Sequence, residues 1–180
     1  MKRLESQKLV TIDRNGAHLT DKGIKAAKKA GIPLKMAGEI QPINQDYFDT
    51  MVKPHIDGKF IEYVGEADLA MKNELLGGAR AMLFPIQWNE PFGLVMIESM
   101  ACGTPVIALR GGSVPEVVKD GVSGKICRAV DDLAQCARKI DNPPILVSKT
   151  GEECFTVERM TNEYLMIYKG GGDNDKIARA

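Results

Sequence analysis

Two short apolar runs bracket one uninterrupted helical stretch, and that pattern limits what this chain can fold into more than any other part of it. Ala79, Ala81, Met82, Leu83, Phe84, Pro85 and Ile86 read as a buried strand, and Gln87 to Pro91 as a polar, turn-prone loop. A helix then starts near Phe92 or Gly93 and continues through Leu94, Val95, Ile97, Glu98, Met100 and Ala101 without a breaker. It stops at Gly103, whose lack of a Cβ suits the left-handed position that ends helices. Thr104 to Leu109 is a second apolar run and hence a second buried strand. Strand, helix and strand at this spacing make a βαβ crossover, so the sheet is expected to be parallel.

The start of that helix carries chemistry. The N–H groups of Phe92, Gly93 and Leu94 are expected to point out of it, where the helix dipole favours an anion such as a diphosphate. Glu98 lies about one turn further in, on the face of Leu94 and Val95, placed to accept hydrogen bonds from two ribose hydroxyls. Glu90, in the loop before the helix, falls on the other side of the phosphate position and can accept from hydroxyls of a donor sugar. A single glutamate is far more often a solvated surface residue. The residues around this pair decide otherwise: EPFGLVMIESMACGTPVIA resembles the E-x7-E signature of retaining GT-B glycosyltransferases, specifically glycosyltransferase family four. The resemblance implies that Glu90 contacts the donor sugar, that the backbone of Phe92, Gly93 and Leu94 contacts the pyrophosphate, and that Glu98 binds ribose.

Towards the N-terminus, Lys8 to Ile12 reads as a strand, Asp13 to Asp21 as a polar loop, Lys22 to Ala30 as a helix and Leu34 to Ala37 as the next strand. The loop brings Arg14 and Lys22 to the carboxyl end of the first strand, where open α/β sheets bind ligands, and two cations there complement a diphosphate. In the resembled family this loop reads like G-R-x-x-P-x-K-G. Asp21-Lys22-Gly23 matches its end, whereas Arg14 stands further from Lys22 than in that pattern and no proline intervenes.

Asn44 to Ile56 is expected to be helical, Phe60 to Val64 a strand ending at Gly65, and Ala70 to Gly78 a helix. Tyr63-Val64-Gly65-Glu66 resembles the family's Y-x-G-x element, which implies that the backbone at Val64 meets the nucleobase. Asp68 and Lys72 fall where some relatives contact base or phosphate, and they read equally well as helix-start and surface charges. In Arg110-Gly-Gly-Ser-Val-Pro-Glu116 the glycines Gly111 and Gly112 permit close backbone approach, and Pro115-Glu116 opens a helix. The segment resembles the family's G-G-x-x-E, which borders the donor pocket.

Lys125 to Cys127 reads as a strand and Val130 to Ile140 as a helix. Pro143-Pro144 is then expected to break the pattern, before a last amphipathic helix over Thr156 to Tyr168 that Thr156 can cap. Residues 1–168 are therefore expected to form one donor-binding domain, with 169–180 as a flexible tail. The fold class is α/β: a Rossmann-like parallel sheet of about six strands with helices on both faces, the C-terminal half of a GT-B fold. At 180 residues the chain matches only that half, so an N-terminal acceptor-binding domain is expected to be absent.

With 24 basic and 24 acidic side chains and no long block of either sign, there is no electrostatic footprint for nucleic acid. No apolar stretch approaches the roughly 20 residues of a membrane span, and the first residues lack the apolar core of a signal peptide, so a cytoplasmic location is expected. The spacings of Cys102, Cys127, Cys136 and Cys154 match no metal knuckle or redox pair, and the four read as reduced thiols. The resemblance implies a glycosyltransferase with a nucleoside diphosphate sugar as donor, no cofactor and no metal. Two other classes stay open: a catalytically silent nucleotide-sugar-binding or assembly module that self-associates through the face meant for the other domain, and a nucleotide-sugar epimerase of the same architecture.

Overall fold

The computed structural model of the protein describes residues 8–13, 21–85 and 88–169. Six strands, β1 (Leu9–Asp13), β2 (Leu34–Gly38), β3 (Ile61–Tyr63), β4 (Ala81–Phe84), β5 (Val106–Leu109) and β6 (Gly124–Cys127), form one sheet in the order β3-β2-β1-β4-β5-β6. Every neighbouring pair is parallel, with Leu9 opposite both Leu34 and Ala81, and Met82 opposite Val106. This is the Rossmann-like sheet the apolar runs predict. The chain moves outward from β1 to β3 on one side and from β4 to β6 on the other, so the strand order reverses between β1 and β4. In open α/β sheets ligands bind outside the carboxyl ends of the strands at such a reversal.

The helices are α1 (Asp21–Ala30), α2 (Gln45–Tyr47), α3 (Leu69–Gly77), α4 (Leu94–Ala101), α5 (Val114–Val117), α6 (Val130–Lys139), α7 (Pro144–Cys154) and α8 (Val157–Lys169). They cover both faces because the strands are apolar on both. Leu9, Leu83 and Ile107 pack with Ile24 and Ala27 of α1 and Leu133 and Ala137 of α6. Val10, Met82 and Ala108 turn the other way, onto Met96 and Met100 of α4 and Val147 of α7. Each fully buried Leu, Ile or Met contributes roughly 1.5–3 kcal/mol.

Two expectations are corrected. The stretch expected as one helix over Asn44 to Ile56 is a chain of single turns: Pro42–Asn44, then α2, then the wider turn Phe48–Val52 and the tighter Lys53–His55. Phe48 and Val52 are its buried residues, and Pro54 lacks the N–H that a longer helix would need there. Just beyond, Asp57 Oδ1 accepts from the N–H groups of Lys59, Phe60 and Ile61, which turns the chain into β3 and holds the Asp57 carboxyl below its ordinary pKa. The break expected at Pro143-Pro144 is instead the opening of α7, with Pro144 at the first helical position, where its absent N–H costs nothing. α7 lies on α4: the Cα of Gly151 comes so close that a Cβ there would sit 3.5 Å from Met100 Cβ.

The two ends of α4 fix its place. At its C-terminus Thr104 N–H donates to Ser99 O (2.9 Å) and Gly103 N–H to Met100 O (2.8 Å), with Gly103 left-handed at φ 71°. This pattern satisfies carbonyls that would otherwise be orphaned. The buried Thr104 hydroxyl donates to Leu76 O of α3 (2.6 Å) and the Ser99 hydroxyl to Thr104 O (2.8 Å). Thr156 caps α8 as its position predicts, accepting from Arg159 N–H at 3.1 Å. The tail expected over 169–180 lies outside the described residues except for Lys169, the last residue of α8.

Candidate functional site

The loop leaving β4 turns into α4 through a left-handed Gly93 (φ 75°, ψ 64°). The helix therefore begins at Leu94, one or two residues later than its sequence indicates. A Cβ on Gly93 would lie 2.6 Å from Met96 Cε and 3.3 Å from Glu90 Cγ, so neither the conformation nor the space admits another residue without movement. Gly93 N–H donates to Glu90 Oε1 at 3.1 Å. The helix start thus carries an anion, and that anion is the side chain of Glu90. Gly93 O accepts from Met96 N–H at 2.9 Å, while Leu94 and Val95, as the first helical residues, have no intrahelical acceptor for theirs.

This loop is pinned from the far side by the turn after β5. Ser113 N–H donates to Glu90 O (2.9 Å), and the Ser113 hydroxyl donates to Phe92 O (2.8 Å). Gly112 lies directly against the Glu90 backbone: a Cβ on it would fall 2.4 Å from Glu90 O and 2.5 Å from Glu90 N. The close approach that the double glycine permits is therefore, at Gly112, an approach of protein to protein. Gly111, half-buried, accepts from Val114 N–H through its carbonyl at 3.1 Å and so shapes the same turn. Phe92 is partly exposed and rests edge-on against Phe155, with ring centroids 6.1 Å apart. Ser113, Met96 and Phe155 are participants that the sequence alone does not mark, since each acts on a residue it meets only through the fold or beneath a backbone turn.

Glu98 sits one turn into α4, on a side chain 25% exposed, and its Oε1 accepts from Lys72 Nζ at 2.8 Å. Lys72 projects from α3 and is only 12% exposed. Asp68 resolves to a helix cap, accepting from Met71 N–H at 2.8 Å. Cys102 ends α4 near this pair; burial first, then the negative charge of Glu98, pushes its thiol pKa up, which keeps it protonated and suits a packing role.

Val64, just after β3, and Lys22, at the start of α1, both lie on the side of the carboxyl ends of the strands. Val64 leaves β3 with its N–H donating to Met36 O (2.9 Å), and Gly65 O accepts from Gly38 N–H (2.8 Å), so the segment is tied to the carboxyl end of β2. The Tyr63 hydroxyl donates to Gly38 O at 2.6 Å. Lys22, half-buried, is the second residue of α1. The next residue, Gly23, is packed close to Pro85 at the exit of β4, a Cβ there lying 3.5 Å from Pro85 Cγ, so the start of α1 adjoins the loop that leads to α4. Arg14 lies outside the described residues. Among the described residues no group of three or more His, Cys, Asp or Glu side chains is placed to hold a metal, and no helix is long and apolar enough to cross a membrane.

The profile of the family described as Glycosyl transferases group 1 matches residues 20–143. N-acetyl-alpha-D-glucosaminyl L-malate synthase of Bacillus anthracis is 33% identical over 123 residues, which make up 63% of this chain and 31% of that protein. Glycogen synthase of Mycobacterium tuberculosis is 30% identical over 136 residues, 74% of this chain and 32% of that protein. The chain thus spans less than a third of the length of these relatives. Among solved structures, Anabaena HepE in complex with UDP and glucose superimposes with a TM-score of 0.74 at 18% identity, covering 93% of this chain and 49% of that one. Sucrose-phosphate synthase from Thermosynechococcus elongatus gives a TM-score of 0.71 at 24% identity, covering 91% and 45%. At these identities the likeness is one of fold, the Rossmann-like sheet found in GT-B glycosyltransferases.

Proposed function

The chain belongs to the glycosyl transferases of group 1, and from that membership we propose that it is the donor-binding domain of a retaining, family-four type enzyme that transfers a sugar from a nucleoside diphosphate sugar. One observation supports this most: α4 starts from the loop leaving β4, one of the two strands at the strand-order reversal, with Glu90 held beside that start and Glu98 one turn further in. In this reading the diphosphate docks at the amides of Phe92, Gly93 and Leu94, and Glu90 exchanges its contact with Gly93 for hydroxyls of the donor sugar. Glu98 accepts from the ribose hydroxyls, the Val64 backbone meets the nucleobase, and Gly111 and Gly112 border the pocket by shaping the turn that holds Glu90.

In the transfer, the bond between the anomeric carbon and the diphosphate oxygen breaks and the departing diphosphate keeps the electron pair. An acceptor hydroxyl oxygen bonds the same carbon on the same face and passes its proton to the departing diphosphate oxygen. The domain's part is to stabilise the charge that grows on the leaving group, through the α4 amides together with Lys22 and Arg14. Removing one such donor typically costs about 10²–10³ in rate. The scheme requires no metal and no cofactor. The acceptor site belongs to an N-terminal domain, and α8, which buries no residue and leaves Met160, Tyr164 and Tyr168 exposed, offers a surface for that domain or for a second copy.

Calorimetric titration with UDP-, GDP- and ADP-glucose tests the reading. We expect saturable binding of one of them accompanied by slow hydrolysis of the donor. Binding without any hydrolysis would favour a silent nucleotide-sugar module, and a folded protein that binds none of the three at millimolar concentration would contradict the proposal.

A further inference from the structure

We propose that Lys72 is a positioning residue: by fixing the carboxylate of Glu98 it sets the preference of this site for ribose over deoxyribose. The inference rests on the reading that Glu98 accepts from the ribose hydroxyls.

Lys72 differs from the surface lysines of this chain. Its side chain is 12% exposed, whereas those of Lys25, Lys29 and Lys53, which also pair with carboxylates, are 53–65% exposed. A lysine removed that far from water needs a partner, and its ammonium meets Glu98 Oε1 at 2.8 Å. The pair joins two helices that are already held in place, and to each other, by other contacts. α3 is fixed at its start by the Asp68 cap, with Lys72 N–H donating to Asp68 O at 2.9 Å, and at its end by the Thr104 hydroxyl on Leu76 O. α4 is fixed by the glycine-ended closure at Gly103 and by the contacts of Gly93. Both ends of the ion pair therefore start from rigid backbone.

A glutamate side chain free to turn about its three torsions presents its oxygens in many directions, and ordering it is an entropic cost to any ligand. Of the two oxygens Oε2 is buried, so Oε1, which meets Lys72, is the one a ribose hydroxyl can reach. A carboxylate offers about four acceptor sites, so Oε1 can take the ammonium and still accept a hydroxyl. Lys72 thus settles the orientation before the ligand arrives. It does so at the ribose position and not at the phosphate: Leu94 and Glu98 are four residues apart, which is about 6 Å along the helix axis. α3 also follows directly from the Val64-Gly65 turn, so the same helix that carries Lys72 is continuous with the segment assigned to the nucleobase.

The test titrates the full chain, as wild type, Lys72→Met, Lys72→Arg and Glu98→Gln, with UDP, GDP and ADP and their 2′-deoxy counterparts. For whichever base binds, wild type should prefer the ribose form by roughly tenfold, the loss expected for one hydrogen bond to a charged group. Lys72→Met should weaken the ribose form about tenfold and change the deoxy form less than twofold, collapsing the preference, while Lys72→Arg should restore most of it. Equal weakening of both forms by Lys72→Met, as a phosphate contact or a merely structural pair would give, overturns the proposal. So does an unchanged preference in Lys72→Met alongside a collapsed one in Glu98→Gln, a result that leaves the ribose role of Glu98 standing. If Glu98→Gln itself keeps the full preference, the underlying reading of Glu98 fails and this inference fails with it. Should Lys72→Met not fold, the milder Lys72→Arg decides: retention of at least a third of the wild-type preference supports the proposal and complete loss opposes it.

Discussion

The two ends of α4 use the same residue to opposite effect. Gly103 and Gly93 are both left-handed, at φ 71° and 75°. At the C-terminus that conformation folds Gly103 and Thr104 N–H groups back onto the helix carbonyls, and buried hydroxyls complete the seal. At the N-terminus it lifts the preceding chain away, so that Gly93 N–H meets a carboxylate and the amides of Leu94 and Val95 have no acceptor inside the helix. One end is closed on itself and the other meets the side chain of Glu90. The difference comes from what surrounds each glycine: α7 packs against Gly103 and α3 against Thr104, while Gly112 and Ser113 pin the loop before Gly93 from outside.

The largest expected effect comes from removing that outer support. Gly112→Ala places a methyl 2.4 Å from Glu90 O and 2.5 Å from Glu90 N, both backbone atoms that cannot turn aside. The displaced loop should weaken nucleotide binding more than Gly103→Ala or Ser113→Ala does, read by calorimetry, and cost about 2–3 kcal/mol of stability in urea unfolding. Gly103→Ala is the counterpart at the closed end. Its Cβ would lie 3.1 Å from Pro144 Cβ and 3.2 Å from Pro144 O at positive φ, so it should cost about 1–2 kcal/mol of stability and leave affinity unchanged. A large affinity loss in Gly103→Ala would erase the distinction between the ends. Ser113→Ala removes only the 2.8 Å bond to Phe92 O and should cost about 1 kcal/mol by thermal unfolding, with a smaller change in affinity than Gly112→Ala.

The smallest effect lies away from α4, at the Asp57 turn. Because three backbone N–H groups hold the folded carboxyl below its ordinary pKa, its stabilisation is complete above the unfolded range, near pH 4, and is lost as pH falls through the folded value. Asp57→Asn should therefore be less stable than wild type at pH 7, with the gap narrowing below about pH 4. A gap that is constant with pH would show that the charge plays no part in the turn.

How much of this was legible in the sequence follows from the range of the forces involved. β4 and β5 stand out as apolar runs because a parallel strand covered on both faces has no polar side to show. Gly103 ends its helix where the sequence predicts, since that closure is made by near neighbours in the chain. Contacts between distant residues are invisible: Lys72 meets Glu98, and Ser113 meets Phe92, across more than twenty residues each. For the same reason Gly112 reads as a place for a ligand when its open side is filled by Glu90. Pro143-Pro144 misleads in another way, because proline breaks a helix interior but begins a helix well, and only the packing of Val147 and Gly151 on α4 tells which applies.

An amide-resolved NMR titration of the 15N-labelled protein with UDP, ADP and GDP examines the central claim most directly. For the nucleotide that binds, the amides of Phe92, Gly93 and Leu94 should shift progressively and saturate together, while Gly103 and Thr104 stay in place. Saturable binding that leaves the Gly93 end unmoved would contradict the assignment of the diphosphate to the start of α4.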